Sequence, residues 1–90
     1  MSTYRMIVTG RVQGVNYRKY VLEVAHALEY YGYIRNLADG SVEVVLNADY
    51  EEDLEFFISK LYDGSLFSDV KNVTCEKIES MHFDTFEKRA

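Results

Sequence analysis

One short segment near the N-terminus contains residue types that could bind an anion. Residues 10–18 read GRVQGVNYR, with glycines at Gly10 and Gly14, and lie between a segment typical of a strand and one typical of a helix. A glycine loop that runs into a helix presents backbone N–H groups and the positive end of the helix dipole to one concavity. Arg18, in the first predicted turn, would add a fork of donors that matches phosphate or carboxylate oxygens. From these residues alone two interpretations stay open, an anion site or a simple turn followed by a solvated arginine.

Other kinds of catalytic site have little support in the sequence. His26 and His82 lie far apart in the chain, and no paired nucleophile fits a hydrolase triad. No spacing of His, Cys and Asp resembles a metal site, and the Rossmann and Walker glycine patterns are both absent. We therefore expect any catalysis here to proceed without a metal, a cofactor or a covalent nucleophile.

Composition and charge limit the class of partner. The chain has 90 residues, 48% of them hydrophobic, and a formal net charge of −5, which is typical of one globular domain over residues 1–90 and unfavourable for nucleic-acid binding. Residues 1–36 contain five basic and two acidic side chains, whereas residues 37–90 contain five basic and thirteen acidic ones. An anion is therefore expected to bind within the first 36 residues.

The compartment is predicted from two absences in the sequence. No stretch has the apolar length of a signal peptide or of a membrane span. The lone cysteine, Cys75, has no partner for an internal disulfide. We therefore expect a cytoplasmic protein that contacts no membrane. A monomeric state is a separate expectation.

The hydrophobic pattern predicts the element order β-α-β-β-α-β with a short terminal strand. The predicted strands cover residues 4–12, 33–37, 41–47, 70–78 and 82–87. Helical spacing begins at Tyr17 and is closed by Gly32, and a second helix ends at Gly64. This order predicts an α+β fold, a ferredoxin-like split βαβ sandwich in which an antiparallel sheet has both helices on one face.

Local signals predict how the helices begin and where the chain turns. Asn16 is a candidate N-cap for the first helix, and Asp49 with Glu52 has the spacing of a capping box for the second. Asp39-Gly40 is a hairpin signal between the two middle strands.

Three segments in the right order resemble the acylphosphatase family. GRVQGVNYR, then GYIRN and DGSVEV, follow that family's approximate pattern of G-x-V-Q-G-V-x-F/Y-R, a helix, G-x-V/I-x-N and D/G-G-x-V-E over residues 10–46. The resemblance implies that the protein hydrolyses a small-molecule acyl phosphate to a carboxylate and phosphate. It implies that Arg18 binds the phosphate and that Asn36 positions the attacking water. It also implies a phosphate cradle made by the backbone amides of Gln13, Gly14, Val15, Asn16 and Tyr17.

The sequence departs from the family pattern at two loops. Glu29 occupies the first glycine position of an L-G-x-x-G helix end, and Gly64-Ser65 stands where Gly-Pro is frequent. Neither departure falls on Arg18 or Asn36.

Two other functions stay open at this point. Ferredoxin-like folds include RNA-recognition modules, but MIVTGRV and SVEVVLN lack the stacking aromatics that such modules place on their central strands. The chain could instead be a non-catalytic module that binds phosphate or an acyl phosphate.

Overall fold

Two helices pack against one face of a five-stranded sheet in the computed structural model, which describes residues 1–90. The elements are β1 (Ser2–Arg11), α1 (Tyr17–Ala27), β2 (Tyr31–Asn36), β3 (Val42–Ala48), α2 (Glu51–Asp63), β4 (Asp69–Ile78) and β5 (Phe86–Arg89). The strands lie in the order β4-β1-β3-β2-β5 and are antiparallel except for the parallel pair of β2 and β5. The predicted ferredoxin-like α+β fold is confirmed, with a mixed sheet because of that parallel edge.

The last strand lies later in the chain than the sequence pattern predicts. It covers Phe86–Arg89 instead of residues 82–87. Part of the preceding segment is held by side chains of other strands, since the amide of Met81 donates to Oγ1 of Thr3 and its carbonyl accepts from Asn47. β5 runs parallel beside β2, and its last residue, Arg89, lies near the start of α1.

The hydrophobic core lies between the sheet and the two helices. Every residue of β3 is buried, because this strand is central in the sheet and its even positions face the helices. The helices contribute buried residues at spacings of three and four. These are Tyr17, Val21 and Ala25 from α1 and Leu54, Phe57 and Leu61 from α2.

Helix α1 ends before the glycine that the sequence suggests. Its last residue is Ala27, and Glu29 follows in the left-handed region with φ 57°. The amides of Glu29 and Tyr30 donate back to carbonyls of the last turn at 3.2 and 2.9 Å, which is the Schellman arrangement. Gly32 instead belongs to β2, where a Cβ would lie 1.8 Å from the carbonyl oxygen of Val45.

The predicted capping box of α2 is wrong. The N-cap is Tyr50, and no side chain makes a capping hydrogen bond. The helix begins one residue too late for Asp49 to cap it, which moves Glu52 out of the position that a capping box needs. The first turn is nevertheless acidic, which favours the positive end of the helix dipole.

An ion cluster lies on the sheet face that points away from the helices. Glu43 is 3% exposed and accepts hydrogen bonds from Arg5, from Arg35 at 2.7 Å and from the Tyr33 hydroxyl at 3.0 Å. Burial acts to raise the pKa of Glu43, but the hydrogen bonds from Arg35, Arg5 and Tyr33 outweigh it and lower that pKa. The carboxylate therefore stays ionised and joins three strands, β1, β2 and β3.

Replacing Glu43 tests whether this cluster stabilises the fold. Because the pKa is lower in the folded state, the stabilisation is present above the unfolded pKa and is lost as the pH falls through the folded value. We expect Glu43→Gln to lower the free energy of unfolding at pH 7 by about 1–2 kcal/mol, since both arginines are partly solvated. Urea unfolding from pH 7 to pH 3 should show the gap to wild type closing below about pH 4.5. Glu79→Gln, at an exposed carboxylate that takes part in no ion pair, is the control, and a gap that stays constant with pH would contradict the assignment.

Replacing Glu29 tests the strain at the end of α1. Glu29→Gly removes the steric cost of the left-handed conformation but adds backbone freedom to the unfolded chain, so we expect a gain of about 0.5–1 kcal/mol in unfolding free energy. Glu23→Gly, in the same helix, should instead lose about 1 kcal/mol. Urea unfolding measures both, and two losses of equal size would show that Glu29 is not strained.

Candidate active site

The loop between β1 and α1 has an unusual backbone. Gly14 and Asn16 both adopt left-handed conformations, with φ values of 73° and 60°. A Cβ on Gly14 would meet no atom within 4 Å, so the backbone conformation and not crowding favours glycine there. Asn16 occupies the N-cap position that the sequence predicts, but its side chain makes no capping hydrogen bond. The helix therefore starts with its first amides uncapped.

The amides of this loop and of the first helical turn have no acceptor in the chain. None of the backbone N–H groups from Gln13 to Lys19 donates a hydrogen bond, and the first bond of the helix runs from Tyr20 to the Asn16 carbonyl at 3.0 Å. Native structures pair nearly all backbone donors with protein groups or water. A row of unpaired donors at the positive end of a helix dipole can bind the oxygens of a phosphate.

These amides border a cavity of about 240 Å³. The residues that line it are Val12, Gln13, Gly14, Asn16, Tyr17, Arg18, Lys19, Asn36 and Lys88. Both predicted catalytic residues are in this lining, and of the predicted cradle residues only Val15 is not. The side chain of Val15 is buried in the core, and its carbonyl accepts a hydrogen bond from the Ser65 hydroxyl at 2.9 Å.

Arg18 lies in the first turn of α1 and is held by the end of the chain. Its Nη1 donates to the carbonyl oxygen of Arg89 at 3.0 Å. No carboxylate lies within 4.0 Å of its guanidinium, so its charge is not neutralised by an ion pair. The other N–H groups of the fork remain available to a ligand.

Asn36 is the last residue of β2 and presents an unpaired polar atom. Its Oδ1 is buried and has no hydrogen-bond partner. Buried polar side-chain atoms are partnered in the large majority of cases, because an unpaired acceptor costs about 1–3 kcal/mol. Asn36 also lines the cavity, so its side-chain amide lies beside the space that a water or a ligand would occupy, while Oδ1 itself is enclosed by the protein in this conformation.

The Gln13 side chain connects the loop to the strand end that carries Asn36. Its Nε2 donates to the carbonyl oxygens of Leu37 at 2.9 Å and of Ser41 at 2.8 Å. Leu37 directly follows Asn36, and Ser41 is bonded to Asp39 in the predicted hairpin turn. These bonds fix the position of the amide loop relative to Asn36.

Two further bonds connect the same loop to the end of α2. The Tyr17 hydroxyl donates to the carbonyl of Leu61 at 2.7 Å, and burial raises the pKa of Tyr17, so it stays a neutral donor. The bond from Ser65 to the Val15 carbonyl is the second. Ser65 is one of the departures from the family pattern, and proline at this position could not make that bond.

Comparison with known proteins identifies the family of the chain. The family model described as acylphosphatase matches residues 4–88. The chain belongs to the acylphosphatase family. The acylphosphatase of Bacillus licheniformis is 41% identical to it over 88 residues, which cover 98% of this chain and 94% of the relative. The predicted family and enzyme class, hydrolases that act on acyl phosphates, are confirmed.

Solved structures of acylphosphatases have the same fold. The crystal structure of acylphosphatase from Bacillus subtilis matches with a TM-score of 0.92 at 33% identity, covering 100% of both chains. An acylphosphatase from Coxiella burnetii matches with a TM-score of 0.89 at 30% identity, covering 98% of this chain and 92% of that one.

The cavity also contains groups that sequence reasoning missed. Lys88 lines it, and the carbonyl of Arg89 holds Arg18. Both depend on the parallel pairing of β5 with β2, which no local pattern in the chain predicts. Elsewhere, no helix is long and apolar enough to cross a membrane, and no three His, Cys, Asp or Glu side chains form a group that could hold a metal ion.

Replacing Gln13 tests whether its side chain holds the loop in place. Gln13→Ala removes two partly buried hydrogen bonds, and we expect a loss of about 1–2 kcal/mol in unfolding free energy together with weaker binding of inorganic phosphate. Urea unfolding and calorimetric titration with phosphate measure the two effects. Asn72→Ala, at an exposed asparagine on β4, should change neither. Unchanged phosphate affinity in Gln13→Ala would contradict the proposed link.

Proposed function

We propose that this chain hydrolyses acyl phosphates, R–CO–O–PO₃²⁻, with Arg18 and the loop amides binding the phosphoryl group and Asn36 orienting the water. One observation carries the proposal. Unpaired amides, an arginine without an ion pair and the side chain of Asn36, whose oxygen has no partner in the protein, belong to the lining of the same cavity. The names of the relatives support the same activity.

The phosphoryl oxygens are bound by donors that are already in place. The amides of Gln13, Gly14, Val15, Asn16 and Tyr17 have no other acceptor, and Arg18 adds a positive charge beside them. Donors fixed before the reaction stabilise the charge of the transition state without reorganisation. The lining of the cavity contains no carboxylate that would repel the phosphoryl dianion.

The attacking water is oriented by Asn36. Its side-chain amide lies at the cavity and hydrogen-bonds the water, which directs a lone pair of the water oxygen toward phosphorus. The new bond joins the water oxygen to phosphorus, and the bond from phosphorus to the acyl oxygen breaks with its electron pair leaving on the carboxylate. No histidine or carboxylate lines the cavity to act as a base, so we propose that the water proton passes to a phosphoryl oxygen. The products are RCOO⁻ and H₂PO₄⁻, and the carboxylate is stable enough to leave without an acid.

Replacing Arg18 tests the binding of the phosphoryl group. Purified protein is incubated with benzoyl phosphate in the presence of a chelator, and the loss of ultraviolet absorbance is followed. We expect wild type to hydrolyse the substrate, inorganic phosphate to inhibit competitively, and Arg18→Gln to lower kcat/KM by about 10²–10³-fold. Arg11→Gln, which removes the same charge at an exposed residue outside the cavity lining, is the matched control. Full activity in Arg18→Gln would remove the central part of the proposal.

Replacing Asn36 tests the orientation of the water separately from substrate binding. We expect Asn36→Ala to lower kcat by about 10²-fold or more and to leave the inhibition constant of phosphate within a few-fold, since the amides and Arg18 remain. Asn72→Ala is the control for the same change on the surface. If Asn36→Ala kept its kcat and lost phosphate affinity instead, Asn36 would be a binding residue. Phosphate binding by a wild type without hydrolysis would identify a non-catalytic binding module.

The remaining expectations from the sequence are not tested by the fold. These are a cytoplasmic location, a monomeric state, a single domain over residues 1–90 and the absence of nucleic-acid, metal and cofactor binding. They stay predictions. Activity in the presence of chelator, measured in the assay above, tests the metal-independent part.

A further inference from the structure

The basic residues around the cavity differ from most others in the chain. Arg18, Lys19 and Lys88 line it, and none of them has a carboxylate within 4.0 Å. Five other basic residues are engaged in ion pairs: Arg5, Arg35, Lys60, Lys71 and Arg89. Positive charge is therefore left unneutralised at this cavity in a chain whose net charge is −5.

Lys88 is placed at the mouth of the cavity by the edge strand β5. In the strand register it lies opposite Ile34, which is fully buried, and it follows Phe86 by two residues, so its side chain projects from the helix face of the sheet. The residue itself is exposed. Glu87 projects from the other face, where it is paired with Arg89 at 2.8 Å.

The charge of the cavity exceeds what a phosphoryl group requires. Three basic side chains carry +3, the phosphoryl group of an acyl phosphate carries −2, and the difference is +1, to which the helix N-terminus adds about +0.5. Arg18 and the loop amides already meet the phosphoryl oxygens in the proposed function. Lys88 and Lys19 are therefore available to a second negative group.

The size of the cavity locates that second group. A volume of about 240 Å³ is smaller than the roughly 300–1,000 Å³ of pockets that enclose drug-sized ligands, so the acyl group extends to the mouth. Lys19 also borders a neighbouring depression that contains Glu23, which opposes an anion on that side. No carboxylate lines the cavity on the Lys88 side.

We infer that Lys88, flanked by Lys19, selects acyl phosphates whose acyl group carries a second anionic group, either a carboxylate or a phosphate. The inference rests on the proposed function and adds a substrate class to it. Lys88 acts on the far end of the substrate and is a specificity residue, distinct from the residues that meet the phosphoryl group.

The test compares substrates that differ only in this group. 4-Carboxybenzoyl phosphate carries the second charge, 4-phosphonobenzoyl phosphate carries it as a phosphonate, and 4-methylbenzoyl phosphate is the neutral match. We expect Lys88→Gln to lower kcat/KM for the two charged substrates by about three- to fivefold and to leave the neutral one within 1.5-fold, which is the range of about one solvated ion pair. Whichever of the two charged substrates shows the larger fall in kcat/KM in Lys88→Gln carries the group, carboxylate or phosphate, that Lys88 prefers. Lys88→Arg should retain the preference, and added salt should weaken it.

The control is Lys77→Gln, which removes the same charge from an exposed lysine on β4 at the opposite edge of the sheet. It should leave all three substrates unchanged. Equal losses for charged and neutral substrates in Lys88→Gln would place Lys88 at the phosphoryl group, and no loss for any substrate would give it no role; either result overturns the inference alone. A wild type that hydrolyses none of the three overturns the proposed function as well.

Discussion

The left-handed backbone at Gly14 and Asn16 is the constraint on which the candidate site depends. With φ values of 73° and 60°, these residues stop α1 from extending toward the strand and leave the amides from Gln13 to Lys19 without acceptors. A longer first helix would have paired several of these donors with its own carbonyls. Unpaired donors are costly away from water, so the conformation must be held by bonds from the rest of the fold.

Those bonds come from parts of the chain that are distant in sequence. Gln13 connects the loop to the turn between β2 and β3, and Ser65 and the Tyr17 hydroxyl connect it to the end of α2. Arg18 is held from a third direction by a carbonyl of β5. Each bond is worth only about 1 kcal/mol, but together they leave the loop little freedom to collapse onto its own amides. The donors are thus positioned before any substrate arrives, which is the condition for electrostatic catalysis.

The sequence predicts what is local and misses what depends on strand pairing. The glycine loop, the two helices and the hairpin at Asp39-Gly40 each have a signal within a few residues, and the structure has them there. Asn36 has no such signal, since a strand-end asparagine is ordinary, and only the family resemblance singles it out. Lys88 could not be found at all, because its place at the cavity follows from the parallel pairing of β5 with a strand some fifty residues earlier. The capping box failed because Asp49 precedes a helix whose start is set one residue later.

An acidic protein binds an anion where basic side chains lie apart from its carboxylates. The ion pairs of this fold produce such a region, because they place carboxylates on arginines outside the cavity. Glu43 binds Arg5 and Arg35 on the sheet face away from the helices, Glu76 lies 3.7 Å from Arg5, and Glu87 binds Arg89. These carboxylates neutralise most of the positive charge of the three arginines. The basic residues of the cavity lining, in contrast, have no carboxylate within 4.0 Å to neutralise their charge. At physiological ionic strength the Debye length is about 8 Å, so carboxylates that lie farther than this from the cavity are largely screened from it, whereas Arg18 acts on a bound phosphoryl group at contact distance. The net charge of −5 therefore opposes weak binding of polyanions over the surface and leaves the attraction of one small anion at the helix start almost intact.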